Sequence, residues 1–136
     1  MTNRQINLIR YSWQKAGEQP LSTGILFYDR LFSLAPEARY VFRSPVSEQT
    51  SKLMSATGCI INKLDKADDI MYEITGIAQE YAAYGLKAMH YRAVGNSLLW
   101  ALEKRLNHLW NDELKEAWSG FYKFLTERVT QQAIAA

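Results

Sequence analysis

Apolar residues return every three or four positions along almost the whole chain, the spacing of helices that each bury one face. The first such stretch runs from about Asn3 to Gly17, with Ile6, Ile9 and Trp13 on one side and Gly17 as its stop. Pro20 opens a second, since proline fits a first helical turn. Its expected inward stripe is Ile25, Tyr28 and Leu31 or Phe32, with Leu21 a further candidate. Ala35-Pro36-Glu37 restarts the chain as a short helix ending near Phe42, and Arg43-Ser44-Pro45 reads as a loop. Ser47 is the expected cap of a helix through Leu64 that turns Leu53, Ala56, Ile60 and Leu64 inward. Asp68 would cap the next, from Asp69 to about Tyr84, and Gly85 would close it in a left-handed conformation. A long helix from about Ala88 to Asn107 follows, bearing Val94, Leu98, Ala101 and Leu102. Asn111 caps the last, from Asp112 to about Gln132, with acids early and Arg128 late, as the helix dipole favours. Leu114, Trp118, Phe121, Leu125 and Val129 form its stripe. The pattern predicts an all-α fold of about seven helices with short joints and no strand.

Composition narrows this picture without changing it. A chain of 136 residues suits one domain, 1–136, with one sizeable core. Only 7 Gly and 3 Pro leave little room for the turns of an all-β fold. A net charge of +2, with no dense Lys/Arg block, argues against a nucleic-acid or membrane partner. The polar start, Met1-Thr2-Asn3-Arg4-Gln5, leads into no apolar signal core, and no apolar run is long enough to span a bilayer. The one cysteine, Cys59, excludes an internal disulfide and fits a reducing compartment, so a cytoplasmic location is expected. Beside Ile60 and Ile61 it is expected to be a buried, inert thiol. Neither a zinc-type Cys/His spacing nor a Gly-rich phosphate loop is present.

Local sequence is more specific. Leu31-Phe32-Ser33-Leu34-Ala35-Pro36-Glu37-Ala38-Arg39-Tyr40-Val41-Phe42 resembles the globin segment that ends one helix, turns through proline and delivers a phenylalanine onto the haem. Gln49-Thr50-Ser51-Lys52-Leu53-Met54 resembles the start of the distal helix of bacterial haemoglobins. Tyr84-Gly85-Leu86, His90-Tyr91-Arg92-Ala93-Val94-Gly95 and Leu98-Leu99-Trp100 resemble the proximal corner and the helix after it, and Glu116-Ala117-Trp118 through Tyr122 the last helix. From the Trp13 region to Val129, in order and spacing, the chain is similar to the single-domain bacterial haemoglobins of the Vitreoscilla type and to the globin domains of flavohaemoglobins. The resemblance implies a globin fold and haem b.

It also implies a distal pocket at Tyr28, Phe42, Gln49 and Leu53. A tyrosine hydroxyl and a glutamine amide can both donate to the partial negative charge on an iron-bound diatomic ligand, more strongly in a dry pocket than in water. Phe42 would lie against the porphyrin and Leu53 would set the cavity's size. Singly, Tyr28 could be an ordinary core tyrosine and Gln49 a solvated one; their joint occurrence at the family's positions favours the haem reading.

The proximal side departs from the family. There a histidine stands four residues before the glycine matched by Gly85; here that position holds Tyr81, preceded by Glu80 where basic residues are common. Tyrosine ligates ferric iron as phenolate, as in catalase. With a hydroxyl of reference pKa about 10, the anion needs help, which the iron itself supplies in part. No basic residue lies one turn from Tyr81, where Ile77, Ala78, Tyr84 and Gly85 stand; Arg92 or Lys87 could approach only across the corner. The other reading stays open: Ile70, Ile74, Ile77, Ala78 and Tyr81 form an apolar stripe, and Tyr81 can be plain core packing. His90, at the corner, would meet a haem propionate; His108 would face solvent. Tyr91 matches the tyrosine that orients the proximal ligand, but the partner glutamate's position falls at about Ala133, and Glu127 comes too early. Departures at both Glu80 and Ala133 argue for natural divergence rather than one introduced tyrosine.

The expectation is therefore a haem-binding globin with Tyr81 as metal ligand, resting ferric. It would handle a diatomic or peroxide ligand, or sense haem or redox state, rather than carry oxygen reversibly. Turnover would draw on a separate reductase. Trp13, Trp100, Trp110 and Trp118 read as packing anchors, some of them serving a homodimer face. The alternative is a haem-free globin-fold sensor or protein-interaction module.

Overall fold

Thr2 starts the chain's first helix with a capping box: its Oγ1 accepts from the Gln5 main-chain N–H at 3.1 Å, and Gln5 Oε1 accepts from the Thr2 N–H at 2.9 Å. In the computed structural model, main chain is described for all residues except 84, 86, 87 and 136. Side chains are described for all except 67, 68, 77, 78, 80–84, 86–89 and 130–136. Helix α1 spans Asn3–Ala16 and α2 Pro20–Leu34, followed by a 3-10 turn at Pro36–Tyr40. Then come α3 (Val46–Asn62), α4 (Ala67–Ala83) and α5 (Ala88–Leu106). A second 3-10 turn, Asn107–Leu109, leads into α6 (Asp112–Ala135). The all-α expectation of about seven helices holds: among the described residues there are six α-helices and no strand, and the short helix expected after Ala35 is the first of two 3-10 turns.

Several local signals act as read. Gly85 has φ +90°, and Asn111 Oδ1 accepts from the Leu114 N–H at 2.8 Å. Others do not. Helix α3 starts one residue before Ser47, after Pro45, with no side-chain cap, and ends at Asn62 rather than Leu64. Helix α4 begins at Ala67, so Asp68 lies inside it, and α6 runs on to Ala135.

The buried face of α2 is also rotated from the expected one. Leu21 and Ile25 are exposed, and Thr23, Gly24, Phe27, Tyr28 and Leu31 point inward. The cause is a close crossing: a β-carbon on Gly24 would overlap the side chain of Thr50 on α3, so these two helices meet through a glycine notch. A second notch lies at Gly95 on α5, where the Tyr122 ring of α6 occupies the space a β-carbon would need. Cys59, expected to be buried, is exposed on the outer side of α3, and the buried positions pass to its neighbours Ile60 and Ile61.

The core sits where α1, α2, α5 and α6 meet. Ile9, Leu31, Ala101, Leu102, Trp118 and Phe121 are fully buried there. Trp118 donates from Nε1 to Ser12 Oγ at 2.8 Å, and that hydroxyl donates to the Leu8 carbonyl at 2.7 Å, so both of these buried side chains are satisfied. An Arg4–Glu113 ion pair ties α1 to α6 at the surface. No described helix is long and apolar enough to cross a membrane.

Candidate functional site

A cavity lies between α2, α3, α5 and α6. Its lining is almost wholly apolar, with the tyrosine hydroxyls and two threonines as the exceptions. Helix α2 contributes Phe27 and Tyr28; α3 contributes Leu53, Ala56, Thr57 and Ile60. Val94 and Leu98 of α5, with Phe121, Leu125 and Val129 of α6, form the opposite wall, and Phe42 closes one end. On the α4 side of Ala56 lies a wider, more open groove between α3 and α4, lined by Met71, Glu73, Thr75 and Gln79 among others.

Tyr28, Phe42, Leu53 and Tyr91 all line the cavity, which brings together four of the residues singled out from sequence. Tyr28 is buried, and its ring packs against Phe42 at 5.6 Å between centroids and edge-on against Phe27 at 4.8 Å. Its hydroxyl donates to the main-chain carbonyl of Gln49 at 3.1 Å. Gln49 thus meets Tyr28 through its backbone; its half-buried side chain is not among the cavity's lining residues. The Tyr81 side chain lies outside the described residues, as does Ala133's; the main chain at 81 belongs to the last turn of α4, which packs on α3 and α6.

His90 is buried at the start of α5, with Nε2 3.1 Å from Glu37 Oε1 in the 3-10 turn. That bond connects α5 to the segment delivering Phe42. The Glu37 carboxyl is held below its ordinary value, first by a hydrogen bond from its own main-chain N–H, against some desolvation, and further by His90. A lowered folded-state pKa gives stability that is present above the unfolded value and lost as pH falls through the folded one. Thermal melts from pH 7 down to 3 should therefore show stability falling below roughly pH 4.3. Glu37→Gln should flatten that limb; an unchanged slope would remove Glu37 from the account.

The sequence pointed to the distal residues, to Tyr91 and to the apolar stripes of the opposite wall, but not to two polar groups on that wall, Tyr122 and Thr126. Burial raises the Tyr91 hydroxyl above its ordinary pKa, with nearby Tyr122 adding to it. Tyr122 is raised by its own burial; its hydroxyl lies toward Thr126 and the Gly95 main chain without reaching an ordinary hydrogen-bond geometry with either. Tyr122 and Thr126 are polar groups on an apolar wall. The signal that could have found them is Gly95, a glycine in mid-helix with no turn to make. No cluster of His, Cys, Asp and Glu able to hold a metal ion occurs among the described residues.

These walls offer apolar contact with a few polar atoms beside it. Phe42, Leu53, Val94 and Leu98 offer apolar surface, and the Tyr28 hydroxyl is a donor beside it.

Comparison with known proteins places the arrangement in context. The globin family model matches residues 25–129. Neuroglobins of the fishes Chaenocephalus aceratus and Danio rerio are each 23% identical, over 96% of this chain and 91% of theirs. A crystal structure of a hexacoordinated haem protein from an anhydrobiotic tardigrade superposes with a TM-score of 0.85 at 14% identity, covering 97% of this chain and 94% of the other. An engineered carbene transferase from Rhodothermus marinus gives a TM-score of 0.84 at 24% identity, covering 99% and 95%. With most of the chain matched by the family model and this helix order around the cavity, the protein belongs to the globin family.

Proposed function

We propose that this protein is a haem-binding globin with a non-histidine proximal side. It would handle a diatomic or peroxide ligand, or sense haem or redox state, in place of reversible oxygen carriage. The observation that carries the reading is the cavity, with Phe42, Leu53 and Tyr28 on its walls. Those residue types fit haem b, whose faces need apolar contact while a ligand on its iron needs a donor. The relatives described as neuroglobins and as a hexacoordinated haem protein support the haem-binding part of this reading.

Phe42, Leu53, Val94 and Leu98 would hold the porphyrin, and Tyr28 would donate to the distal ligand, with Gln49 able to assist from its neighbouring position. Tyr81 would ligate the iron. Tyr91 would orient the proximal side, and His90, already bonded to Glu37, would brace the corner beside the propionates. When bound, haem supplies an iron centre that a phenolate would hold in the ferric state. A separate reductase, a cytoplasmic setting and a homodimer belong to the same proposal, as does the kinship to the Vitreoscilla-type haemoglobins.

Haemin titration tests it. Saturable binding is expected, with a phenolate-to-iron charge-transfer band that Tyr81→Phe abolishes and Tyr81→His replaces with a histidine-type spectrum. Non-specific uptake by the native protein, with tight binding only in Tyr81→His, would establish instead a haem-free sensor or interaction module.

A further inference from the structure

Helix α5 has a second concave face, turned away from the cavity described above. Where the haem-side wall uses Val94 and Leu98, this one uses Leu99 and Trp100, joined by Arg30 and Leu34 of α2, Trp110 before α6, and Lys115 within it. Arg30 holds its guanidinium 5.6 Å from the Trp100 ring centre, and Lys104 places its ammonium 5.8 Å from the same ring.

Among the described residues, Arg30 forms no ion pair, and its buried Nε meets no hydrogen-bond acceptor. A guanidinium Nε–H taken from water without an acceptor is costly. A planar carboxylate, which a guanidinium grips through two parallel N–H bonds, removes that cost. Two cations, Arg30 and Lys115, line the cleft against one acid, Glu103, and Lys104 lies against the same indole, so the charge favours an anion. The two indoles and two leucines supply apolar walls for an aromatic body, and Asn96 can serve a polar substituent.

We propose that this cleft is a binding site for a small aromatic carboxylate, separate from the haem cavity. Arg30 pairs with the carboxylate while Trp100 and Trp110 contact the ring. Because the two sites use different faces of α5, occupancy of one leaves the other open.

The probe is 2-naphthoate, followed by calorimetry and by the indole N–H signals of the four tryptophans, with and without haemin. The expected result is one saturable site that shifts Trp100 and Trp110, leaves Trp13 and Trp118 in place, and is indifferent to haemin. Arg30→Gln should weaken binding by roughly tenfold or more, Arg30→Lys less, and the uncharged 2-naphthylmethanol should bind roughly tenfold more weakly. Circular dichroism on both variants keeps a folding defect distinct from a binding one. Displacement of naphthoate by haemin would move the ligand to the haem cavity and overturn the proposal. So would equal binding by the alcohol or by Arg30→Gln. Self-association in sedimentation that Arg30→Gln disperses, without naphthoate binding, would assign the cleft to a second copy of the chain.

Discussion

Trp118→Ala is expected to cost about 3–5 kcal/mol of folding stability, the usual range for emptying a large buried aromatic site. On a chain of this size that corresponds to a fall in Tm of roughly 10–20 °C. Trp118 is fully buried and stands at the junction of three structural features. Its ring contacts Trp13 of α1 at 5.9 Å and meets Phe121 edge-on at 5.4 Å, and its Nε1–H is bonded to Ser12. Phe121 also lines the cavity, so loss of the indole loosens that wall as well as the α1–α6 contact. Trp118→Phe keeps most of the packing and removes the donor to Ser12, which retains its own bond to the Leu8 carbonyl. Its cost should be nearer that of one hydrogen bond and a small void, about 1–2 kcal/mol. Chemical denaturation of the two variants checks the order; equal losses would show that the hydrogen bond, rather than the ring, holds the junction.

Gly24→Ala should also destabilise, although alanine is the better helix former by about 1 kcal/mol. The added carbon would stand 2.8 Å from Thr50 Cβ and closer still to that residue's outer atoms. Both helices would have to separate, and overpacking of this kind costs about 1–3 kcal/mol. The separation matters beyond stability, because the neighbouring residue Gln49 accepts the Tyr28 hydrogen bond. Gly76 and Gly120 provide the contrast, for a β-carbon at either position meets nothing within 4 Å. Alanine there should stabilise by about 0.5–1 kcal/mol. Pairing Gly24→Ala with Thr50→Gly transfers the notch to the other helix and should recover part of the loss. Strictly additive effects would mean that these two residues do not set the crossing.

What could be read from sequence follows from which forces act locally. Helix periods survive because burying one face is a property of each segment: Ile6 and Ile9, Leu98 and Leu102, Trp118 and Phe121 all lie where the spacing puts them. Caps with a complete local motif were equally legible at Asn111 and Gly85, whereas the Thr2–Gln5 box was present in the sequence and overlooked. Errors arose where a contact distant in sequence decides. Nothing near Ile25 says that Gly24 must face Thr50, yet that crossing rotates the helix and exposes Ile25. Cys59 failed similarly, since neighbouring isoleucines do not fix which face of α3 a residue takes. At the cavity, Tyr28, Phe42, Leu53 and Tyr91 were found through family resemblance, while Tyr122 and Thr126 depend on how α6 packs over Gly95.

The bond from Tyr28 to the Gln49 carbonyl has a consequence for selectivity. A hydroxyl carries a single proton, and here that proton already has a recipient. Any guest entering beside Tyr28 therefore gains only the difference between two hydrogen bonds, not the whole of one. A strongly polarised guest would draw the proton away, while a weakly polar one such as carbon monoxide would leave it with the peptide oxygen and receive no help. In a haem-binding protein of the proposed kind, such a pocket would grade its guests by how much negative charge they accumulate, with the protein's own backbone as the reference against which each is compared.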